Sequence, residues 1–214
     1  MPDRSTRLVL IRHGESRAAV DQIVGGVRGC SGLSEAGIEQ CRALGDRMAR
    51  TRELHPVDVL LASVLPRAVE TAERLAPALD LSSTDVIQDC DLCELHPGEC
   101  DGMTWDEFRR VYGDLDMANN PYTPLSPGGE SLAEFHLRVG RTLTRLAIDH
   151  EGETVAIASH GGLIYASLVV FLGLPRFGRQ AELNPENASI TEWACVSNGR
   201  WRLVRYNDIA HLYG

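Results

Sequence analysis

Two histidines in this chain each follow a short apolar run and precede glycine: Arg12-His13-Gly14-Glu15 and Ser159-His160-Gly161-Gly162. Imidazole titrates near neutral pH, so it can shuttle a proton or attack an electrophile. Gly14 lets the backbone turn sharply and come close to a ligand. Gly161 and Gly162 lead into an apolar stretch of helical length, and the free N–H groups at a helix start bind anions. Arg67 is the third candidate, in Ser63-Val64-Leu65-Pro66-Arg67-Ala68. It too follows an apolar run, in the first turn of a helix that Pro66 can open. A single histidine after a strand reads as a structural residue, and a single helix-start arginine as a solvated one. Three such groups at strand ends read as a site for an anionic substrate.

These residues need elements to carry them. Residues 8–11 form a buried-strand run, and residues 57–61 and 154–158 form two more. Val86-Ile87 marks a weaker strand. Ser34 caps a helix with Ile38, Cys41, Leu44, Gly45 and Met48 at helical spacing. A second helix runs from Pro66 to about Leu79. Ser131 opens a long helix with Leu132, Phe135, Val139, Leu143 and Leu146 on one face. Residues 163–172 are nearly all apolar and predict a buried helix. Residues 188–195 and 201–206 predict two final strands joined by Ser197-Asn198-Gly199, a hairpin signal. Strands alternating with helices predict an α/β fold. Ligands in such folds sit beyond the carboxyl ends of the strands. If the strands before His13 and His160 are neighbours, both rings face one crevice.

Residues 90–129 break the pattern: the segment is polar and irregular, with a short helix near residues 105–112 and a loop at 121–129. We read 1–214 as a single domain with 90–129 as an inserted active-site cover.

The formal net charge is −9, which argues against a nucleic-acid partner. A few arginines in one pocket can still set a local field of the opposite sign. All 21 basic side chains are arginine, which we attribute to genomic base composition. A lysine Schiff base and a Walker-type lysine are therefore excluded. No apolar run is long enough for a signal peptide or a membrane span. The expectation is a cytoplasmic protein without a membrane partner, with a homodimer compatible with the sequence. Six cysteines form no secreted disulfide framework.

In order along nearly the whole chain come Leu-Ile-Arg12-His13-Gly14-Glu15-Ser16, Gly32-Leu33-Ser34-Glu35-Ala36-Gly37, Pro66-Arg67-Ala68-x-x-Thr71-Ala72, Leu92-Cys93-Glu94 and Ser159-His160-Gly161-Gly162. This set resembles the histidine phosphatase superfamily, also called phosphoglycerate mutase-like. The resemblance implies a three-layer α/β/α sandwich around a mixed, mostly parallel sheet of about six strands, one of them antiparallel. It also implies roles. His13 becomes phosphohistidine. Arg12, Arg67 and His160 hold the phosphoryl oxygens, with Gly161 and Ser16 as further phosphate contacts. Glu94 is the general acid.

The implied activity is a phosphoric monoester hydrolase, of the histidine acid phosphatase type, acting on a small phosphate ester or a phosphoprotein. No cofactor and no metal are expected, because arginines supply the charge. The alternatives are a phosphoglycerate mutase-type transferase and a silent phosphate-binding protein. Family mutases carry an asparagine six residues after the nucleophile, where this chain has Ala19, and a substrate-binding lysine, which it lacks. Many phosphatase relatives have an aromatic at the position of Cys100, and Pro97 is unusual there.

Weaker signals remain. Cys90, Cys93, His96 and Cys100 form a C-x2-C-x2-H-x3-C pattern with zinc-like spacing. It overlaps Glu94, and free cysteines often act as small buried hydrophobes, which is the reading preferred here. A Cys90–Cys93 disulfide that moves Glu94 is an alternative. Arg109, Arg110, Arg17 and Arg28 read equally as anion contacts or solvated side chains. Glu15 reads as support for its neighbours, and Trp105 and Trp201 as packing residues.

Overall fold

The computed structural model describes residues 5–114, 116–117, 119–174, 183–196 and 199–213. Its centre is a six-stranded sheet in the order β3-β2-β4-β1-β5-β6. The strands are β1 (Thr6–Arg12), β2 (Val59–Ala62), β3 (Ile87–Gln88), β4 (Thr154–Ser159), β5 (Ile190–Val196) and β6 (Arg200–Asp208). β1, β2, β3 and β4 pair in parallel, and β5 runs antiparallel to both its neighbours. This is the mixed, mostly parallel sheet that the family resemblance implies.

The continuous apolar run of β1 follows from burial on both faces. Leu8 and Leu10 point into a core with Leu143, Ile157, Leu163, Ile164 and Trp193. Val9 and Ile11 point the other way, into a core with Leu44, Met48, Leu75, Ala156 and Ala158. Helices cover both faces: α2 (Glu35–Thr51) and α3 (Pro66–Leu75) on the second, α5 (Leu132–Asp149) and α6 (Gly161–Phe171) on the first. Two shorter helices, α1 (Arg17–Val20) and α4 (Trp105–Tyr112), lie outside these layers.

Helix starts fall where the sequence puts them. Ser34 accepts the Gly37 N–H, and Ser131 forms a reciprocal capping box with Glu134. Some boundaries shift. β2 begins at Val59, because Asp58 is already engaged with the start of β4, donating its N–H to Thr154 O and accepting the Thr154 N–H. α3 ends at Leu75 and tightens into a 3-10 turn over Ala76–Leu79, where Pro77 offers no N–H. α6 begins at Gly161, two residues before the predicted start, with His160 as its N-cap. Ser197 and Asn198 of the predicted hairpin turn lie outside the described residues; Gly199 adopts a φ of 67°.

The section 90–129 has a small core of its own, with Cys100, Phe108 and Leu125 packed on Val24. The Asp101 carboxylate ties it down by accepting N–H groups from Gly26, Arg28 and Gly29. No helix among the described residues is long and apolar enough to cross a membrane.

The α2 start packs tightly on the turn after β1. A Cβ on Gly37 would lie 2.1 Å from Glu15 O, whereas one on Gly45 would meet nothing closer than 3.8 Å. Gly37→Ala should therefore lose about 1–3 kcal/mol in urea unfolding. Gly45→Ala should gain about 0.5–1 kcal/mol, since the same helix tolerates the methyl group there. Equal effects of the two changes would contradict the packing described.

Candidate active site

Parallel pairing of β1 with β4 sets Arg12 opposite Ser159, so the next residue on each strand is a histidine. The His13 and His160 rings meet edge to face with centroids 5.2 Å apart. The strands before the two histidines are neighbours, as the shared-edge expectation requires. β2, on the other side of β4, ends beside it, and the first turn of α3 brings Arg67 in from there.

His13 is buried, and its hydrogen bonds fix its tautomer. Nδ1 lies 2.6 Å from the Gly14 carbonyl, so it carries the proton and donates. Nε2 is then a lone pair, and it accepts from Arg67 Nε–H at 3.0 Å. Burial holds the His13 pKa well below the usual histidine range, and the Arg67 and Arg12 guanidiniums push the same way. The backbone at His13 is held from several sides: its carbonyl accepts from Asn187 Nδ2, and Gly14 N–H donates to Thr71 Oγ1. Glu15 contributes support, as expected, by accepting from the Ser34 hydroxyl that caps α2.

His160 is fully buried, and its Nε2 lies 2.8 Å from Ser63 Oγ. Its Nδ1 has no partner among the described residues. Burial also depresses this pKa well below the ordinary value, followed by Arg67, His13 and Arg12. Arg12 donates to the Pro185 carbonyl and leaves its buried Nε unpartnered among the described residues. Burial lowers its own pKa, against the opposing charges of Glu94 and Glu186. Arg67 donates Nη1–H to Gly25 O as well as Nε–H to His13.

Glu94 reaches the same edge. Its Oε2 accepts the Gly162 N–H of α6 at 2.9 Å, and its Oε1 accepts the Leu95 N–H at 3.2 Å. A Cβ on Gly162 would sit 2.1 Å from Glu94 Oε1, so the carboxylate occupies the space that a side chain at 162 would take. Gly161 lies against the Arg12 guanidinium, where a Cβ would meet Nε at 3.3 Å. Ser16 is buried and serves as the N-cap of α1, accepting the Ala19 N–H. That cap explains its place without a ligand.

The other arginines are accounted for locally. Arg28 donates to the carbonyls of Gly98 and Glu99, Arg17 donates to Ser31 O, and Arg109 pairs with Asp106 at the surface. Arg110 borders a surface hollow with Arg28, Glu99 and Glu107. Trp201 stacks on Phe171 and Trp105 packs edge-on to Phe108, as packing residues.

Two polar residues at the site carry no role in the sequence analysis. Ser63, at the end of β2, touches His160. Arg138, on α5, donates to the carbonyls of Asp91, Cys93 and Glu94 and forms a bidentate pair with Glu130. Its signal was its position, three residues after Phe135 on the buried stripe of α5.

Buried neutral imidazoles beside fixed guanidiniums can bind and attack a phosphoryl group. Residues 8–209 match the model of the "Histidine phosphatase superfamily (branch 1)". The chain belongs to this superfamily. Its relatives include a "Metal-independent phosphoserine phosphatase" of Arabidopsis thaliana, 29% identical over 97% of this chain and 83% of the relative. They also include a 2,3-bisphosphoglycerate-dependent phosphoglycerate mutase of Chelativorans sp., 32% identical over 79% of this chain and 83% of the relative. Among solved structures, a mycobacterial glucosyl-3-phosphoglycerate phosphatase in complex with VO3 superimposes with a TM-score of 0.76 at 29% identity, covering 94% of this chain and 98% of that one. This histidine phosphatase superfamily member is thus an enzyme of phosphate-ester hydrolysis or phosphotransfer.

Charge placement around the two histidines gives two expectations. Arg67→Met removes a cation that opposes protonation, so the His13 pKa should rise in an NMR titration; a fall would contradict the arrangement. Both histidines are depressed in the fold, so the unfolded chain binds more protons below the ordinary histidine value. Their contribution to stability is full above about pH 6.5 and declines below it. The unfolding free energy of the superfamily member should therefore drop between about pH 7.5 and about pH 5.5. His160→Gln should make that drop smaller.

Proposed function

We propose that this enzyme is a metal-independent phosphatase that hydrolyses a phosphomonoester through a phosphohistidine on His13. The observation that carries the reading is the fixed tautomer of His13, whose Nε2 lone pair faces Arg67 beside His160. In the first step Nε2 bonds to phosphorus as the bond to the ester oxygen breaks, and Glu94 gives that oxygen its proton. A phosphoryl oxygen takes over the Arg67 hydrogen bond and releases the lone pair. Arg12, Arg67 and the free Nδ1 side of His160 hold the remaining oxygens, with the α6 start at Gly161 beside them. In the second step water attacks phosphorus, passes its proton to Glu94, and the N–P bond breaks. Three or more fixed donors already meet the charge on the transferring group, which is the task a metal would otherwise serve.

The hydrolase is favoured over a mutase by Ala19 and by the absence of lysine. The phosphoserine phosphatase and the glucosyl-3-phosphoglycerate phosphatase support the same choice. Residues 90–129 act in this reading as the cover of the site.

Phosphate release with a chelator present, from phosphoserine, 3-phosphoglycerate, glucosyl-3-phosphoglycerate, a phosphoprotein and an activated aryl phosphate, tests the proposal. Wild type should turn over at least one ester and His13→Ala none, with an acid-labile, base-stable phosphoenzyme trapped only in wild type. Near-normal turnover by His13→Ala would overturn it. Glu94→Gln should slow esters with poor leaving groups by about a hundredfold to ten-thousandfold and spare the aryl phosphate. Gly162→Ala should show the same selectivity, since the added methyl group displaces the Glu94 carboxylate. Equal losses on all esters would remove Glu94 as the general acid.

A further inference from the structure

The loop that carries Glu94 also gathers three metal-binding side chains that the proposed chemistry does not use. Residues Cys90–Leu92 form a 3-10 turn closed by the Cys93 N–H donating to Cys90 O. At three residues per turn, positions i and i+3 eclipse, so the two cysteines stand on one side. His96 joins them, and the ligand atoms of Cys90, Cys93 and His96 all lie within 4.8 Å of one another. Cys100, the fourth member of the sequence pattern, is instead buried in the small core with Phe108 and donates to Pro97 O.

This cluster is held in a frame. Arg138 grips the carbonyls of Asp91, Cys93 and Glu94. Glu130 accepts the His96 N–H and donates its own N–H to His96 O. Both ends of the ligand loop are therefore fixed by the same buried ion pair. All six cysteines are free.

We propose that Cys90, Cys93 and His96 bind a thiophilic divalent ion, zinc in class, and that its binding switches off the neighbouring catalytic site. Tetrahedral zinc needs Zn–S bonds of about 2.3 Å and Zn–N bonds of about 2.0 Å, which a small closing motion of three side chains supplies. Binding forms two metal–sulfur bonds and one metal–nitrogen bond, releases the two thiol protons to solvent, and leaves one position to water.

The path to the catalytic site is one hydroxyl. The Ser63 hydroxyl is placed to donate to Cys93 Sγ at 3.2 Å, a weak acceptor while it is a thiol, and lies 2.8 Å from His160 Nε2, the stronger acceptor. Its single proton serves one of them at a time. A metal-bound thiolate draws that proton to sulfur. His160 Nε2 must then donate to Ser63, and its Nδ1 becomes a lone pair that repels a phosphoryl oxygen. Glu94, between two ligands in sequence, is fixed with them.

The metal site stands apart from the phosphatase reading; only the inhibition rests on it. Cobalt(II) titration of the reduced full-length protein reads the site directly. We expect one equivalent to give a thiolate-to-cobalt charge-transfer band that zinc displaces and that Cys90→Ser and His96→Ala both lose. Wild-type phosphate release should fall with one equivalent of zinc and recover with chelator. Cys90→Ser, at an exposed position away from the reacting atoms, should keep its basal activity and lose the sensitivity to zinc. Absence of the band overturns the site. A band without inhibition, or inhibition unchanged in Cys90→Ser, overturns the switch. A band in a protein without phosphatase activity overturns only the catalytic reading.

Discussion

Two neutral imidazoles and two guanidiniums share one buried edge of the sheet. The arrangement is costly to charge further: a proton on either ring would add a cation where water is excluded and two cations already stand. The structure around it keeps the rings neutral and aimed. His13 is fixed through Gly14 O, His160 through Ser63, and Arg67 through Gly25 O. An anion placed at this edge would meet the charge that the guanidiniums already carry, without a further proton on either ring.

Side chains cannot be aimed this way from mobile segments. Each of these groups leaves a strand end or a helix start within a few residues of a doubly buried sheet. The core on one face depends on α5 and α6, and the core on the other on α2 and α3. α6 serves both purposes: its apolar body packs the sheet, and its first turn holds Glu94. α5 does likewise, with an apolar stripe interrupted by Arg138, whose guanidinium holds the Glu94 loop.

Most of the fold was legible because its signals are local. Apolar runs, Ser34, Ser131 and Pro66 each mark an element through the chemistry of one or two turns. Boundaries were less legible: β2 starts late because Asp58 bonds across to Thr154, and that partner is 96 residues away. The histidines and Arg67 could be suspected from residue type and position. Glu94 could not; it lies in an irregular polar segment, and only the family resemblance singled it out. Ser63 and Arg138 were missed because their meaning lies in contacts between distant segments. The C-x2-C-x2-H spacing was read mainly as buried apolar cysteines. Cys93 and Cys100 are buried, whereas Cys90 is exposed.

The contact between Gly162 and Glu94 has a consequence for descent. A side chain at 162 would push aside the far end of the Glu94 side chain, although 68 residues separate them. Enlarging position 162 moves that carboxylate unless position 94 changes with it. Selection that keeps the carboxylate where it stands therefore also acts on position 162, although that residue carries no reactive group of its own.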